Sequence, residues 1–206
     1  MPNPQILYFL RHGSTRFDNA KKELTQGWLK EGLDEQGLKE AHAAAERIKK
    51  GGYAIDKLVC SDLPRAAETA EIVGKAIGLV PIHTPSLRCQ DIGVLAGQPE
   101  EAVNSVLAEL ALKHPDFKIP NGESSNDFWP AITRLIVRQW ENGVTYLNVT
   151  HSTDIYVAMA MRGKDLVNKE LMAHPKMDLN PCALVAVFKR QGKWRSSVVD
   201  KGGSKA

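Results

Sequence analysis

Apolar and polar positions alternate between two periods along the chain. Residues 6–10 form a continuous apolar run without helical spacing, bounded by polar residues, as expected of a strand buried on both faces. Leu38, Ala41, Ala45 and Ile48 then recur at near-helical intervals, and Lys49, Lys50, Gly51 and Gly52 supply a basic last turn and a glycine stop, so a helix is predicted there. The two patterns repeat: a strand over residues 55–59, an alanine-rich helix over 63–77 closed by Gly78, and a third strand over 81–85.

Further on, residues 128–141 place Trp129, Ile132, Leu135 and Ile136 on one side of a predicted helix, and residues 144–150 read as a strand. A helix over 154–161 and two strands, 182–189 and 194–199, joined at Gln191-Gly192-Lys193, complete the pattern. Residues 91–126 are less regular. A helix is expected over 102–112, but Pro115, Pro120, Asn121 and Gly122 mark loops, so this stretch reads as a helical insertion. No internal repeat is present, and residues 201–206 read as a disordered tail.

Strands alternating with helices predict an α/β fold: three layers, α/β/α, around a mainly parallel central sheet, with the helical insertion and a C-terminal β-hairpin. A chain of 206 residues, 43% hydrophobic and 25% charged, suits one domain with a sizeable core, expected to span residues 1–206 as a monomer or homodimer. The net charge of +3 comes from intermixed acidic and basic residues, which gives no reason to expect nucleic acid or a membrane surface as partner. Cys60, Cys89 and Cys182 lie far apart, suggesting neither a zinc site nor a disulfide framework, and a reducing, cytoplasmic setting fits them. The N-terminal apolar run is too short for export or for spanning a bilayer.

Two histidines fall directly after predicted strands, where ligands bind in open parallel sheets. Arg11-His12-Gly13-Ser14-Thr15 follows the first strand, a placement expected to put His12 at a strand-to-helix turn whose free backbone N–H groups face an anion, with Gly13 allowing close approach. Val149-Thr150-His151-Ser152-Thr153 repeats the arrangement after a later strand. Between them, Arg65 lies in the first turn of a helix, against the helix dipole, so it either meets a bound anion or pairs at the surface with Glu68 or Glu71. Guanidinium groups fork onto phosphate oxygens and an imidazole nitrogen can attack phosphorus, so Arg11, His12, Arg65 and His151 together describe a phosphate clamp.

These segments resemble the histidine phosphatase superfamily, which includes the cofactor-dependent phosphoglycerate mutases. Leu10-Arg11-His12-Gly13 is similar to the family signature, residues 61–70 resemble its second motif, and His151 stands at its second histidine. Residues 33–37 and Gly122-Glu123-Ser124 also resemble family segments, so the similarity runs from about residue 6 to about residue 199. The resemblance implies that His12 is the nucleophile and is transiently phosphorylated, that Arg11, Arg65 and His151 hold the phosphoryl oxygens, and that no metal or cofactor is required. Gly13, Asn19 and Ser152 are the further substrate-binding candidates, and Asp18 competes with Asn19 for one phosphate-contacting position. Ser14 stands where many members carry glutamate, and a helix cap is the favoured reading for it.

Cys89 occupies about the place of the family's proton-donating glutamate. A thiol donates poorly to a departing alkoxide, so Asp91, two residues on, is the expected catalytic acid, with a turn cap before Gly93 as the alternative. The expected function is hydrolysis of a phosphorylated small molecule or phosphopeptide; mutase action and a catalytically weak phospho-ligand binding module are the alternatives.

Overall fold

The computed structural model describes residues 5–20, 23–161 and 179–203. Six strands form one sheet in the order β3-β2-β4-β1-β5-β6: β1 (Leu7–Arg11), β2 (Lys57–Ser61), β3 (Ile82–Thr84), β4 (Tyr146–Thr150), β5 (Leu184–Arg190) and β6 (Lys193–Asp200). The first four are mutually parallel, and β5 and β6 close one edge in antiparallel sense. The helices are α1 (Glu35–Gly51), α2 (Pro64–Ile77), α3 (Glu100–Lys113), α4 (Ser125–Glu141) and α5 (Ser152–Ala160). The chain is therefore α/β, with helices on both faces of a mostly parallel sheet.

The two-residue period of the strands sorts side chains between two cores. Leu7 and Phe9 of β1 pack with α4 and α5 on one face, whereas Tyr8 and Leu10 pack with α1 and α2 on the other. One buried polar pair interrupts the first core: Gln139 and Asn148 exchange amide hydrogen bonds of 2.7 and 2.9 Å, so neither is left unsatisfied.

Local chemistry sets several element boundaries. Asp34 caps α1 by accepting from the Gly37 N–H at 2.8 Å, and Gly52 closes it in the left-handed region at φ 62°. Helix α4 starts three residues before the expected Phe128 because Ser124 and Asp127 form a reciprocal capping box, which leaves Pro130 inside the helix rather than in its first turn. Gln191 and Gly192, both at positive φ, make the two-residue hairpin turn, and Lys193 already belongs to β6. The insertion has its own small core of Ile92, Val103 and Ile119. Of the expected tail, residues 204–206 lie outside the described residues. No helix among the described residues is long and apolar enough to cross a membrane.

The placement of the site follows from strand order. β1 and β4 are neighbours, with Arg11 in register with Thr150, yet β1 leads toward α1 on one face and β4 leads into α5 on the other. A crevice opens at such a switch point, beyond the carboxyl ends of the strands.

Candidate active site

His12 and His151 emerge side by side from β1 and β4, with ring centroids 5.1 Å apart in an edge-on arrangement. The His12 Nδ1–H donates to the Gly13 carbonyl at 2.7 Å, since a carbonyl only accepts, and this fixes the tautomer. Nε2 consequently carries the lone pair, and the Arg65 Nε–H donates to it at 3.3 Å. Arg65 is 1% exposed and crosses the floor of the site: its Nη1 donates to the Leu29 carbonyl and its Nη2 to the Gly27 carbonyl, at 3.1 and 2.8 Å. Nothing here matches a surface pairing with Glu68, whose carboxylate instead accepts from the Leu33 N–H.

His151 Nε2 lies 3.0 Å from the Ser61 hydroxyl, at the end of neighbouring β2. Among the described residues its Nδ1 is buried without a partner, as is Arg11 Nε, whose other guanidinium nitrogens reach the Leu179 carbonyl and Asp18. An anion seated between these groups would satisfy both.

Electrostatics keep the imidazoles neutral. Burial, and then repulsion from Arg65, lower His12 to about 3, and the same two causes hold His151 well below the ordinary histidine value. Neutral His12 presents an uncharged nitrogen nucleophile. The shift also predicts acid lability: between the folded value of about 3 and the ordinary 6.5 the unfolded chain binds a proton that the native state refuses. This stability contribution is complete above pH 6.5 and lost as pH falls. Buried Asp154, raised well above its ordinary value, acts in the opposite direction, so a comparison isolates the imidazole. Between about pH 6 and pH 4, urea unfolding should show wild type losing up to ~1.4 kcal/mol per pH unit more than His12→Gln. Parallel profiles would refute a neutral, buried His12.

A cleft opens over this cluster, lined among others by Arg11, His12, Asp18, Arg65, Cys89 and His151. The model of the histidine phosphatase superfamily (branch 1) matches residues 7–200. The chain belongs to that family. A Yersinia pestis (strain Pestoides F) protein named probable phosphoglycerate mutase GpmB is 27% identical, with 97% of this chain and 93% of that protein covered. Among solved structures, the mycobacterial glucosyl-3-phosphoglycerate phosphatase in complex with inorganic phosphate is 25% identical with a TM-score of 0.71, covering 95% of this chain and 97% of that one. A structure titled mycobacterial hydrolase 1 is also 25% identical, with a TM-score of 0.74 and coverage of 97% and 99%.

Against the family pattern, five expectations from the sequence change. Asp91 does not join the cluster: its carboxylate accepts from the Gly93 N–H at 3.0 Å, capping the turn, and the cleft wall there consists of Cys89, Gln90 and Ile92. Asn19 borders the cleft but donates to Asp34 at 2.7 Å; Asp18 is the residue that faces Arg11. Gly13 serves packing rather than ligand approach, because a Cβ there would stand 2.6 Å from the Gly37 carbonyl oxygen at the start of α1.

The expected anion-facing N–H groups after β1 are also taken. No helix follows until α1, and the N–H groups of residues 12–15 donate to the Thr150 carbonyl, Thr69, Glu40 and Asp18. Ser14 accordingly is no helix cap, since its hydroxyl donates to buried Glu40 at 2.8 Å. By contrast Ser152, the first residue of α5, lines the cleft beside His151.

Several supporting groups were not legible in the sequence. Ser61 and Thr69 lie inside a motif that carries no sign of their separate partners, and Glu40 has no signal at all. Arg88 forks onto Asp62 through two 2.6 Å hydrogen bonds and stacks 4.6 Å over the Trp28 ring. Trp28 in turn donates to the Cys89 carbonyl at 2.7 Å. This clamp joins the segment carrying Gly27 and Leu29 to that carrying Cys89, and so holds the acceptors of Arg65 in place. Arg16 pairs with Glu31 at the surface.

Asp18 differs from a neutral phosphate contact. Against burial, which raises it, the Arg11 charge and the Thr15 hydrogen bonds hold Asp18 below its ordinary value. Its oxygens accept from Arg11, Thr15 and Gln26. A carboxylate beside an anion site opposes the anion, so Asp18→Asn is expected to tighten inhibition by vanadate roughly tenfold, about 1.4 kcal/mol. Unchanged inhibition would show that the carboxylate does not face the bound oxyanion.

Proposed function

We propose that this protein is a phosphatase that carries the phosphoryl group covalently on His12. The observation that carries the reading is the fixed tautomer: Nδ1 is bound to the Gly13 carbonyl, leaving the Nε2 lone pair inside a cleft that also holds Arg11, Arg65 and the unpartnered Nδ1 of His151. In the first step the Nε2–P bond forms as the P–O bond to the leaving group breaks. In the second, water attacks phosphorus, the N–P bond breaks, and His12 regains its lone pair. Arg11, Arg65 and His151 stabilise the spread negative charge of the phosphoryl oxygens, with Ser152 at the entrance and Asp18 setting the local charge.

The likeness to the mycobacterial glucosyl-3-phosphoglycerate phosphatase, solved in complex with inorganic phosphate, supports a phosphatase reading. Hydrolysis is favoured over mutase action by the cations of the cleft. Among the described residues lining it they are Arg11 and Arg65, both at the phosphate end, so no further described cation there would clamp the carboxylate of a phosphoglycerate. We further propose a cytoplasmic protein acting on a phosphorylated small molecule or peptide.

The test is to incubate the protein with p-nitrophenyl phosphate and, separately, with 3-phosphoglycerate, with and without the bisphosphorylated primer. Acid-labile phosphate on His12 with continuous release of inorganic phosphate is expected. Isomerisation of phosphoglycerate without free phosphate would instead establish a mutase, and stoichiometric phosphorylation without turnover a binding module.

A further inference from the structure

Departure of an alkoxide needs a proton, because its conjugate acid is about as weak as water, whose pKa is about 15.7. A positioned acid contributes roughly 10²–10⁴ to such a step. The described carboxyl groups around His12 are bonded elsewhere, held ionised or kept out of the cleft. Asp91 caps its turn, and Glu123, behind the same wall, accepts from the Asp91 N–H at 2.9 Å. Asp154, whose Oδ1 has no partner among the described residues and which burial keeps protonated, has no exposed surface and does not line the cleft. Asp18 is held ionised, and Glu40 accepts both the Ser14 N–H and its hydroxyl. Glu23 and Glu100 line the cleft where segments 23–25 and 97–100 pair, with the Glu100 N–H donating to the Glu23 carbonyl and the Glu100 carboxylate accepting from Asn104.

The wall nearest Arg65 is instead Cys89. Its thiol donates to the Gly27 carbonyl at 3.2 Å and accepts from Arg65 Nη2 at 3.5 Å. Burial pushes this thiol up to about 12, so it neither ionises nor yields its proton readily.

Resting on the phosphohistidine reading above, we propose that the site serves phosphoryl compounds whose leaving group departs as a stable anion, such as acyl phosphates, aryl phosphates or phosphoanhydrides, rather than alkyl phosphomonoesters. The P–O bond breaks with its electron pair leaving on the carboxylate, phenolate or phosphate oxygen, which needs no proton from the protein. Water then supplies the oxygen of inorganic phosphate and releases its proton to solvent.

The experiment is a rate series over substituted phenyl phosphates of similar size, from nitrophenyl to unsubstituted phenyl, with acetyl phosphate and glycerol phosphate as the extremes. kcat/KM is expected to fall steeply as the leaving group becomes more basic, by roughly 10²–10⁴ across the phenyl series, the size of the missing acid's contribution. Cys89→Glu is expected to flatten that slope by restoring a carboxyl group at the wall. The slope of the unaltered protein decides the matter even if that variant does not fold. A shallow slope, with glycerol phosphate turned over within tenfold of nitrophenyl phosphate, would overturn the proposal, and its loss in Glu23→Gln or Glu100→Gln would identify the acid. If instead no phosphate is found on His12 with nitrophenyl phosphate or acetyl phosphate, it is the phosphohistidine reading that fails.

Discussion

His12→Gln is expected to lower kcat/KM for an aryl phosphate by roughly 10⁴-fold or more, about 5.5 kcal/mol of transition-state stabilisation. The glutamine amide can still donate toward the Gly13 carbonyl, but it offers no nitrogen lone pair comparable to Nε2, so the proposed covalent step is expected to be lost rather than weakened. His151→Gln should behave differently. It removes a ring whose buried Nδ1 awaits a partner, costing roughly 10²–10³-fold as for other single groups that stabilise developing charge, while leaving His12 able to accept phosphate. Rapid-quench detection of phosphorylated protein separates the two: label should persist in the His151 variant and vanish in the His12 variant. Retention of more than a tenth of wild-type turnover by His12→Gln would remove it as nucleophile.

Arg65→Met should be the most damaging of these substitutions for the fold and should also impair activity. The guanidinium is nearly inaccessible and holds the carbonyls of Gly27 and Leu29 together with His12 Nε2. Methionine fills much of the volume but leaves the Leu29 carbonyl without its donor and the Gly27 carbonyl with only the weak Cys89 thiol, at about 1–3 kcal/mol each. A loss of about 3–5 kcal/mol in urea unfolding is therefore expected, together with a fall in kcat/KM of roughly 10³-fold. Arg65→Lys should not rescue either property, because one ammonium group cannot span acceptors that the planar fork reaches at once. Wild-type stability in the lysine variant would mean that Arg65 acts only as a point charge.

Cys89 illustrates why a linear reading of the site has limits. The sequence placed a thiol near the expected acid and made Asp91 the substitute, since a carboxyl group two residues away is the nearest alternative. Whether Asp91 enters the cleft is decided by the direction of one short turn. In the structure Gly93 takes that carboxylate and Glu123, from a distant segment, takes the Asp91 N–H, so the turn points the carboxylate away. Asp18 and Asn19 are set apart for a similar reason. Both are polar and adjacent, and only the positions of Arg11 and Asp34 send one inward and the other toward the cap of α1.

The elements themselves could be read from the chain because their causes are local: apolar runs of period two, helical spacing ended by Gly52 and Gly78, and a hairpin turn of two positive-φ residues. The histidine-bearing strand ends and the motif arginine, though not its burial, were also visible, since each lies inside a compact motif next to a regular element. What only the tertiary structure decided was which groups share a hydrogen bond. β4 inserts beside β1 and β2, which brings Ser61 to His151, while α2 brings Thr69 to the Gly13 N–H and the packed loops bring the Gly27 and Leu29 carbonyls to Arg65. Periodicity depends on neighbours a few residues away, whereas the satisfaction of a buried donor depends on partners tens of residues distant, which no local pattern records.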